Sequence, residues 1–398
     1  MSKGYATRLL ADLMYLDVER EPMTGGRTYR LAGVLNAGQG LVGKGEFDGG
    51  DTEYAAMNVL REGQVVMRKL TAWEGPITVV PAEYDGFVVS GEFPTFTLRN
   101  DIAPEWFRLV CQSPRLWAQM KSRVVGTVQR RKRLNPDQLL AIELPVPPLS
   151  VQQRIADVVG TVDDQIAALD AEAARLSDVL RARRAEVMAD PGVPEVRADA
   201  AFAILLGRQR SPQRASGPSM TKYLRSANVG YGTLDLDDVM QMDFDQREQE
   251  TFGLRDGDVL VSEGSASEKA VGMPAMWRAE LTGPVCFQNT LLRYRAIDGV
   301  SSSGFTHHWC LWAYEAGRFR DAAGGTNIKH IGSTRAGAMP VRLPDISQQE
   351  LIVRELDAFA DVQVAARAES EGLRAVRSSL LSALLSREIE INVAEEVV

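Results

Sequence analysis

The sequence of 398 residues contains little cysteine, little histidine and no long apolar run. Its three cysteines, Cys111, Cys286 and Cys310, are widely spaced and odd in number, which excludes a disulfide framework and a four-thiolate zinc site. Such sparse cysteine fits a reducing compartment. No apolar stretch approaches the ~18 residues that would span a membrane, and the apolar N-terminal stretch is broken by Asp12. We therefore expect a cytoplasmic protein that is neither secreted nor inserted in a membrane.

The usual catalytic signatures are also missing. The sequence has no G-x-x-x-x-G-K-[ST], no H-E-x-x-H, no G-x-S-x-G and no Asn-Pro-Pro-aromatic or Asp-Pro-Pro-aromatic tetrapeptide. Gly38-x-Gly40-x-x-Gly43 matches a dinucleotide fingerprint, but a Gly- and Asp-rich stretch follows it where an apolar helix would be needed. The three histidines have no partners at metal-ligand spacing and are interpreted as packing or hydrogen-bonding residues. No catalytic residue, metal or cofactor is predicted on this chain.

Negative charge predominates, with a net charge of -8, but it is unevenly distributed. Residues 1–146 carry 18 Lys and Arg against 17 Asp and Glu, and residues 196–346 carry 17 against 17. Residues 147–195 carry 5 against 9 and residues 347–398 carry 5 against 10, so these short segments hold the acidity. An acidic total therefore does not exclude nucleic acid as a partner of the two neutral blocks.

The alternation of neutral and acidic segments reflects an internal duplication at a shift of about 197 residues. Leu60–Val66 matches Leu254–Leu260, and Gly126-Thr127 matches Gly325-Thr326. The acidic segments align best, through Ser150, Gln152, Ile155, Asp164 and Leu176 opposite Ser347, Gln349, Ile352, Asp361 and Leu373. Each half of the chain thus consists of a neutral block followed by an acidic segment.

Both acidic segments are predicted to be long helices. Ser150-x-x-Gln153 and Ser347-x-x-Glu350 are capping boxes, and Asp190-Pro191-Gly192 ends the first helix after about 39 residues, a rod of roughly 58 Å. Apolar residues recur in alternating steps of four and three, which indicates a coiled-coil seam. In the first helix Arg183 interrupts a seam of Ile155, Val159, Val162, Ile166, Leu169, Ala173, Leu176, Leu180 and Val187.

The seam of the second helix is less regular. It comprises Ile352, Leu356, Phe359, Ala366, Leu373, Leu380 and Leu384, with interruptions at Gln363, Ser370 and Arg377. A structural spacer or a dimerisation rod is one interpretation of the two helices. The duplication favours the alternative, in which the two helices pack on each other, with looser packing along the second seam.

The neutral blocks alternate strand-like and helix-like segments. YRLAGV, QVVMRKL, ITVV and PTFTLR in the first block and DVLVSEG, PVCFQ and TLLRYRAI in the second predict strands, and an aromatic helical segment follows the strands in each block. The fold class is therefore α+β with an internal tandem duplication. We predict α+β domains at 1–146 and 193–346, separated by long helices at 147–192 and 347–398.

Polar and cationic clusters beside the predicted strands suit contact with DNA phosphates and base edges. The densest is Arg130-Arg131-Lys132-Arg133, for which a solvated surface is the alternative interpretation. Trp73 is as compatible with a core position as with a stacking surface. The candidate DNA-binding residues are Arg68, Lys69, Thr71, Gln129, Arg130, Arg131, Lys132, Arg133, Arg208, Arg210, Ser262, Lys269, Asn327 and Lys329.

These features together resemble a known family. The segments LPVPPLSVQQRIADVVGTVDDQIAALD and MPVRLPDISQQELIVRELDAFADVQV are similar to the central and distal repeat regions of the DNA specificity subunits of type I restriction-modification systems, the HsdS family. The L-R-[ED]-G-[QD]-V element and the late Gly-Thr element of each block resemble the target-recognition domains of that family. The resemblance covers essentially the whole chain.

The resemblance implies a non-catalytic subunit of a phage-defence complex. Each target-recognition domain would read one half of a bipartite, asymmetric target in double-stranded DNA, and two antiparallel helices would set the spacing between the halves. Two methyltransferase (modification) subunits that bind S-adenosylmethionine would dock on the acidic helices, and ATP-dependent restriction subunits would join a full system. The rival interpretations are a coiled-coil adaptor that joins two ligand-binding α+β domains and an enzyme without a recognisable motif.

Overall fold

A computed structural model describes residues 5–125, 132–265, 267, 270–325 and 329–391. The chain divides into two compact units: unit 1 comprises residues 1–168 and 369–398, and unit 2 comprises Leu169–Ala368. Each unit therefore combines one α+β block with parts of both acidic segments. The segment boundaries drawn from the sequence stay a prediction.

The block of unit 1 is rich in short strands. In the described residues its elements are β1 (Ala6–Leu9), α1 (Leu10–Leu13), β2 (Met14–Leu16), β3 (Arg20–Pro22), β4 (Thr28–Val34), β5 (Leu41–Asp48), β6 (Ala56–Val59), β7 (Val65–Met67), β8 (Ile77–Val79), β9 (Val88–Val89), β10 (Thr95–Leu98), α2 (Pro104–Cys111), α3 (Pro114–Arg123), α4 (Pro136–Leu140) and β11 (Glu143–Val146). The long helix α5 (Leu149–Met188) follows the block.

The strands of unit 1 form a four-stranded sheet in the order β2-β10-β7-β8, a five-stranded sheet in the order β3-β6-β9-β4-β5 and a pair β1-β11. Helices α2 and α3 bury their apolar faces, including Trp106 and Phe107, in one core together with Ile155 and Val159 of α5 and Leu384 from the second acidic segment. The predicted aromatic helical segment thus joins the sheet to the long helices of unit 1.

Unit 2 has the same plan. Its described elements are β12 (Glu195–Arg197), α6 (Ala198–Ala201), β13 (Phe202–Leu206), β14 (Met220–Leu224), β15 (Met240–Asp243), α7 (Gln246–Phe252), β16 (Val259–Ser262), β17 (Gly264–Ser265), β18 (Pro274–Met276), β19 (Val285–Phe287), β20 (Leu291–Ala296), α8 (Ser303–Glu315), α9 (Arg318–Ala322), β21 (Lys329–His330), α10 (Ser333–Gly337) and β22 (Pro340–Arg342). The second long helix, α11 (Ile346–Ser386), follows.

The sheets of unit 2 repeat part of unit 1 and differ elsewhere. The four-stranded sheet β13-β20-β16-β18 and the pair β12-β22 correspond to β2-β10-β7-β8 and β1-β11, which confirms the duplication inferred from the sequence. The remaining strands form a three-stranded sheet β15-β14-β19 and a short pair β17-β21, in contrast to the five-stranded sheet of unit 1. The two blocks share a scaffold but not their outer sheets.

The long helices begin slightly earlier than predicted. Helix α11 starts at Ile346, and Asp345 caps it by accepting a hydrogen bond from the backbone N–H of Gln348 at 2.9 Å. Helix α5 starts at Leu149, and the carbonyl of Pro148 accepts hydrogen bonds from the first turn. The capping boxes at Ser150 and Ser347 are therefore wrong, because both serines already lie inside the first turn.

Three of the four polar interruptions of the predicted seams, Arg183, Gln363 and Arg377, make contacts between the helices. In unit 2, Arg183 of α5 forms an ion pair with Glu355 of α11 at 2.8 Å, and the side-chain amide of Gln363 donates to the carbonyl of Ala173 at 3.3 Å. In unit 1, Arg377 of α11 forms an ion pair with Asp163 of α5. The residue numbers decrease along one helix as they increase along the other, so the helices are antiparallel in unit 2.

The glycine-rich motif of unit 1 leads into strand β5 of a β-ribbon. Gly38 and Gly40 have φ values of 63° and 93°, and strand β5 follows them directly. A Cβ at Gly38 would lie 2.3 Å from the carbonyl oxygen of Cys111 at the end of α2, so the glycine permits a close backbone approach. This confirms that the motif does not open a helix.

One buried glutamine in each unit ties the block to its long helix. The side chain of Gln152 accepts from the N–H of Ala103 at 2.9 Å and donates to the carbonyls of Asp101 and Pro147. Gln349 makes the same three bonds, with the N–H of Ser302 and the carbonyls of Val300 and Pro344 as partners. Both glutamines are almost fully buried, so the duplicated Gln-Gln motif has a structural role.

Candidate nucleic-acid interface

In unit 1 the structure brings two of the predicted cationic clusters together. Arg133 forms backbone bridges with Leu70 on one side and with Val125 on the other, and both hydrogen bonds to Val125 measure 2.9 Å. The N–H of Thr71 donates to the carbonyl of Lys132 at 3.2 Å. The two clusters are far apart in the sequence, but their backbones form one continuous surface element. We call it the bridge element of unit 1, residues 68–71 with 132–133.

The arginines of this bridge element are held by acidic and polar neighbours. The Nη2 of Arg68 lies 3.1 Å from a carboxylate oxygen of Glu74 and 2.7 Å from the hydroxyl of Thr71. Arg133 forms an ion pair with Glu92 at 3.1 Å and is exposed. Lys69 and Lys132 are half-buried, with neither ammonium in an ion pair within the described residues. The surface therefore offers both oriented guanidinium groups and unneutralised lysines.

Unit 2 contains the same backbone arrangement with different side chains. His330 forms bridges with Gly264 and Gly324, as Arg133 does with Leu70 and Val125. His330 Nδ1 lies 2.7 Å from a carboxylate oxygen of Glu263, whose second oxygen accepts from the N–H of Gly332 at 3.2 Å. Residues 262–265 with 329–330 form the bridge element of unit 2.

The predicted residues of this second bridge element differ in accessibility. Ser262 is 3% exposed and its backbone pairs with Met273 and Gly272, so its hydroxyl does not face solvent. Lys329 pairs with Ser265 in the β17-β21 ladder and is half-buried. Of these two predicted residues, Lys329 is the one that a ligand can reach.

A second cationic cluster in unit 2 surrounds Glu248. Arg208 and Arg214 bind its two carboxylate oxygens at distances of 2.8 and 2.6 Å, and Arg210 is exposed. The hydrogen bonds from Arg214 hold the pKa of Glu248 below its ordinary value. The backbone of Arg208 contacts Asn289, and Thr290 contacts Glu263, so this cluster lies next to the bridge element of unit 2.

Five predicted site residues lie outside the residues that the structure describes: Gln129, Arg130, Arg131, Lys269 and Asn327. The acidic partners Glu74, Glu92, Glu248 and Glu263 were missed by sequence reasoning. Carboxylates are abundant in this sequence, and no spacing distinguishes these four. Only the fold brings them to the cations.

The described residues show no arrangement typical of a metal centre, since no group of three or more His, Cys, Asp or Glu side chains could hold an ion there. Across the same residues, no helix is long and apolar enough to cross a membrane. The chemistry that the bridge elements offer is hydrogen bonding and charge complementarity, from guanidinium, ammonium and imidazole groups on a firmly paired backbone.

Comparison with known proteins identifies the fold. No family model and no curated protein matches the chain. A solved structure concerned with complex assembly and conformational transition of the type I R-M system is 17% identical, has a TM-score of 0.66, and aligns over 97% of this chain and 98% of its own.

Two further structures agree. The HsdS subunit from Thermoanaerobacter tengcongensis is 18% identical with a TM-score of 0.51, and the S subunit of the type I restriction-modification system of M. genitalium is 12% identical with a TM-score of 0.52; each aligns over 98% of both chains. The chain has the fold of these S subunits along nearly its whole length, and the predicted α+β fold class is confirmed.

Proposed function

We propose that this chain is the DNA specificity subunit of a type I restriction-modification complex. The observation that carries the proposal is the bridge element, which recurs at equivalent places in both units with different side chains. A shared scaffold that presents two different surfaces suits a protein that reads two unlike half-sites. The fold likeness over 97% of the chain to a solved type I R-M structure supports the same assignment.

Binding to DNA would proceed by exchange of partners at the bridge elements. Phosphate oxygens compete with Glu92 for Arg133 and accept hydrogen bonds from Lys69 and Lys132, which positions the duplex without reading its sequence. Side chains beside these anchors then contact base edges in the grooves. Each unit would read one half of a bipartite, asymmetric target.

The chain would take no part in bond making or breaking. Methyl transfer belongs to two modification subunits that bind S-adenosylmethionine, and ATP-dependent restriction subunits would complete a full system in the cytoplasm. The long helices carry the acidic excess of the chain, 5 Lys and Arg against 9 Asp and Glu in residues 147–195. We propose these helices as the docking surface for the modification subunits and as the element that sets the spacing between half-sites.

Genome-wide mapping of methylated bases tests this function. A host that carries the modification subunits is mapped with and without this chain. We expect a bipartite methylated motif that appears only with the chain. Methylation that is unchanged by its removal contradicts the proposal.

The phosphate-contact role is tested by Lys132→Gln, with Lys121→Gln as a matched control on the exposed end of α3. Lys132→Gln should weaken binding to all DNA sequences alike and reduce the slope of log K against log salt by roughly 0.9, the contribution of one lost contact. Binding by the control should equal the wild type. A Lys132→Gln variant with unchanged affinity and slope would remove Lys132 from the interface.

A further inference from the structure

Strand β5 of unit 1 is unusually exposed for a strand in a five-stranded sheet. It pairs with β4 at the edge of that sheet, and residues 42–46 are all exposed. The register shifts between Arg30 and Ala32, because Arg30 lies opposite Glu46 whereas Ala32 lies opposite Gly43. Lys44 and Gly45 together therefore face the single residue Leu31. This is a β-bulge, a feature that re-aims a side chain out of the regular alternation.

At this bulge the side chain of Lys44 packs over the backbone of Gly33. A Cβ at Gly33 would lie 2.5 Å from Cε and 3.0 Å from Nζ of Lys44. The lysine side chain therefore occupies the space that the Cβ of any other residue at position 33 would need. Gly43 and Gly45 flank Lys44, and a Cβ at either would meet no atom within 4 Å. Bare backbone on both sides of one lysine lets a ligand approach closely.

Lys44 lines a cleft of about 370 Å³ in unit 1. Asp51 also lines the cleft, and the side chains of Phe47, Tyr54 and Phe93 supply aromatic surface. Within the described residues no ion pair joins Lys44 to Asp51 or to another carboxylate, in contrast to Arg68 and Arg133. Among the residues that the structure describes, the cleft thus combines a lysine and an aspartate that form no ion pair with an aromatic wall.

This cleft adjoins the bridge element of unit 1. Ser90 and Phe93 line the cleft. Between them, the carboxylate of Glu92 forms the ion pair with Arg133, and the backbone carbonyl of Glu92 accepts from the N–H of Lys69 at 2.9 Å. The turn formed by residues 90–93 therefore contributes residues both to the cleft and to the proposed phosphate anchor. A duplex bound at the anchor would pass close to Lys44.

We propose that Lys44 is a base-reading residue for the half-site of unit 1, donating from its ammonium group to an acceptor on a base edge, with Asp51 accepting from an amino group of the same base pair. The inference rests on the proposed function. A base edge fits better than a phosphate because it presents acceptors and amino donors side by side, whereas a phosphate would be repelled by Asp51. Guanine O6 and N7 are the acceptors that lysine most often contacts.

The test uses the full chain in complex with its modification subunits. Methylation mapping first identifies the bipartite motif; absence of a motif that depends on this chain overturns the proposed function and the inference together. Binding is then measured on duplexes that carry each single-base substitution in the half-site of unit 1. The variants are Lys44→Gln, Gly33→Ala and the control Lys121→Gln.

We expect Lys44→Gln to lose at least about five-fold in discrimination at one or two adjacent positions of that half-site, the lower end of the range expected for one good base contact. Gly33→Ala keeps the charge of Lys44 but displaces its side chain from the backbone of residue 33. This variant should therefore reduce discrimination at the same positions of the half-site. The other half-site and the control should be unchanged. An equal loss of affinity on every duplex with a shallower salt slope would identify a phosphate contact instead, and unaltered discrimination would remove Lys44 from recognition; either result overturns the inference while the motif itself stands.

Discussion

The two units join their blocks to the long helices in different ways, although both contain the same buried glutamine. In unit 1 the joint is apolar, because Leu109 of α2 and Leu381 of α11 are buried in one core. When the two halves of the sequence are aligned, Arg184 of unit 2 corresponds to Leu381 of unit 1, and His308 of α8 corresponds to Leu109. Both of these polar residues are buried. The same architecture thus connects the block to the long helices through apolar contacts in unit 1 and through ionic contacts in unit 2.

The ionic joint of unit 2 is a connected network. Arg184 of α5 lies 2.6 Å from a carboxylate oxygen of Glu315, which also bonds to the hydroxyl of Tyr231. The Nε of Arg184 is 3.4 Å from Nδ1 of His308, and Nε2 of His308 is 3.0 Å from Asp357 of α11. The network therefore connects helices α5, α8 and α11 with the segment that carries Tyr231, and the buried Arg184 contacts three of its members directly. Such a network costs desolvation and is stable only while every member has its partner.

Removing the arginine should give the largest effect. Arg184→Leu copies the residue of unit 1 but leaves the largely buried carboxylate of Glu315 without its close partner, since the exposed Arg181 lies 4.0 Å away, so unit 2 should lose about 3–5 kcal/mol. Hydrogen exchange resolved by unit measures this, because a protein of two units does not unfold as a single transition. Exchange in unit 1 should be unchanged.

The double variant Arg184→Leu/Glu315→Leu removes both partners and should recover stability to within about 1.5 kcal/mol of the wild type, since an apolar pair can replace a buried ion pair. Leu381→Arg is the matched change in unit 1 and should destabilise that unit only. If the single and double variants were equally unstable, the loss would come from packing and not from the unpaired charge.

The two buried glutamines should give a smaller effect that is equal in both units. Gln152→Ala and Gln349→Ala each leave one N–H and two carbonyls without their side-chain partner, which should cost about 2–4 kcal/mol in the affected unit. Gln153→Ala and Gln348→Ala alter the exposed neighbours and should change stability by less than about 0.5 kcal/mol. Markedly unequal losses from the two buried variants would show that the duplicated joints are not energetically equivalent.

The smallest effect is a pH dependence confined to unit 2, which contains all three histidines. Burial lowers the pKa of His307 to about 3 and also lowers that of His308, with the positive charge of Arg184 contributing to both. The imidazoles of the unfolded chain bind protons below about pH 6.5, whereas His307 of the folded chain, with its pKa of about 3, stays neutral down to much lower pH. Stability should therefore fall as the pH decreases.

Between pH 7 and pH 5 the contribution of His307 alone should decrease by about 2 kcal/mol. Hydrogen exchange at the two pH values, corrected for the intrinsic rate, should show unit 2 weakened relative to unit 1. His307→Gln should reduce the difference. Equal weakening of both units would assign the effect to groups other than the histidines.

Patterns repeated along the chain predicted much of this structure. The duplication, the strands around Val65 and Val259 and the two long helices follow from periodicity and from self-similarity at one shift. The predicted helix starts lie too late in the sequence. In α11, for example, the carboxylate of Asp345 caps the helix two residues before the serine that the capping-box pattern favoured.

The ionic contacts could not be predicted. Arg184 follows the seam position Arg183 and has the sequence character of a solvent-facing residue, yet it is buried because Glu315 and His308, remote in sequence, surround it. The ion pair between Arg133 and Glu92 likewise joins residues remote in sequence. The orientation of the Lys44 side chain depends on a β-bulge and on the absence of a side chain at Gly33. Contacts of this kind depend on tertiary structure and leave no local pattern.

The proposed function requires that the two units read different half-sites independently. The most direct measurement replaces residues 1–146 with the corresponding block of another chain of the same fold and maps methylated bases in a host that supplies the modification subunits. We predict a motif in which one half changes completely while the other half keeps its sequence. A motif altered in both halves, or in neither, would contradict the account.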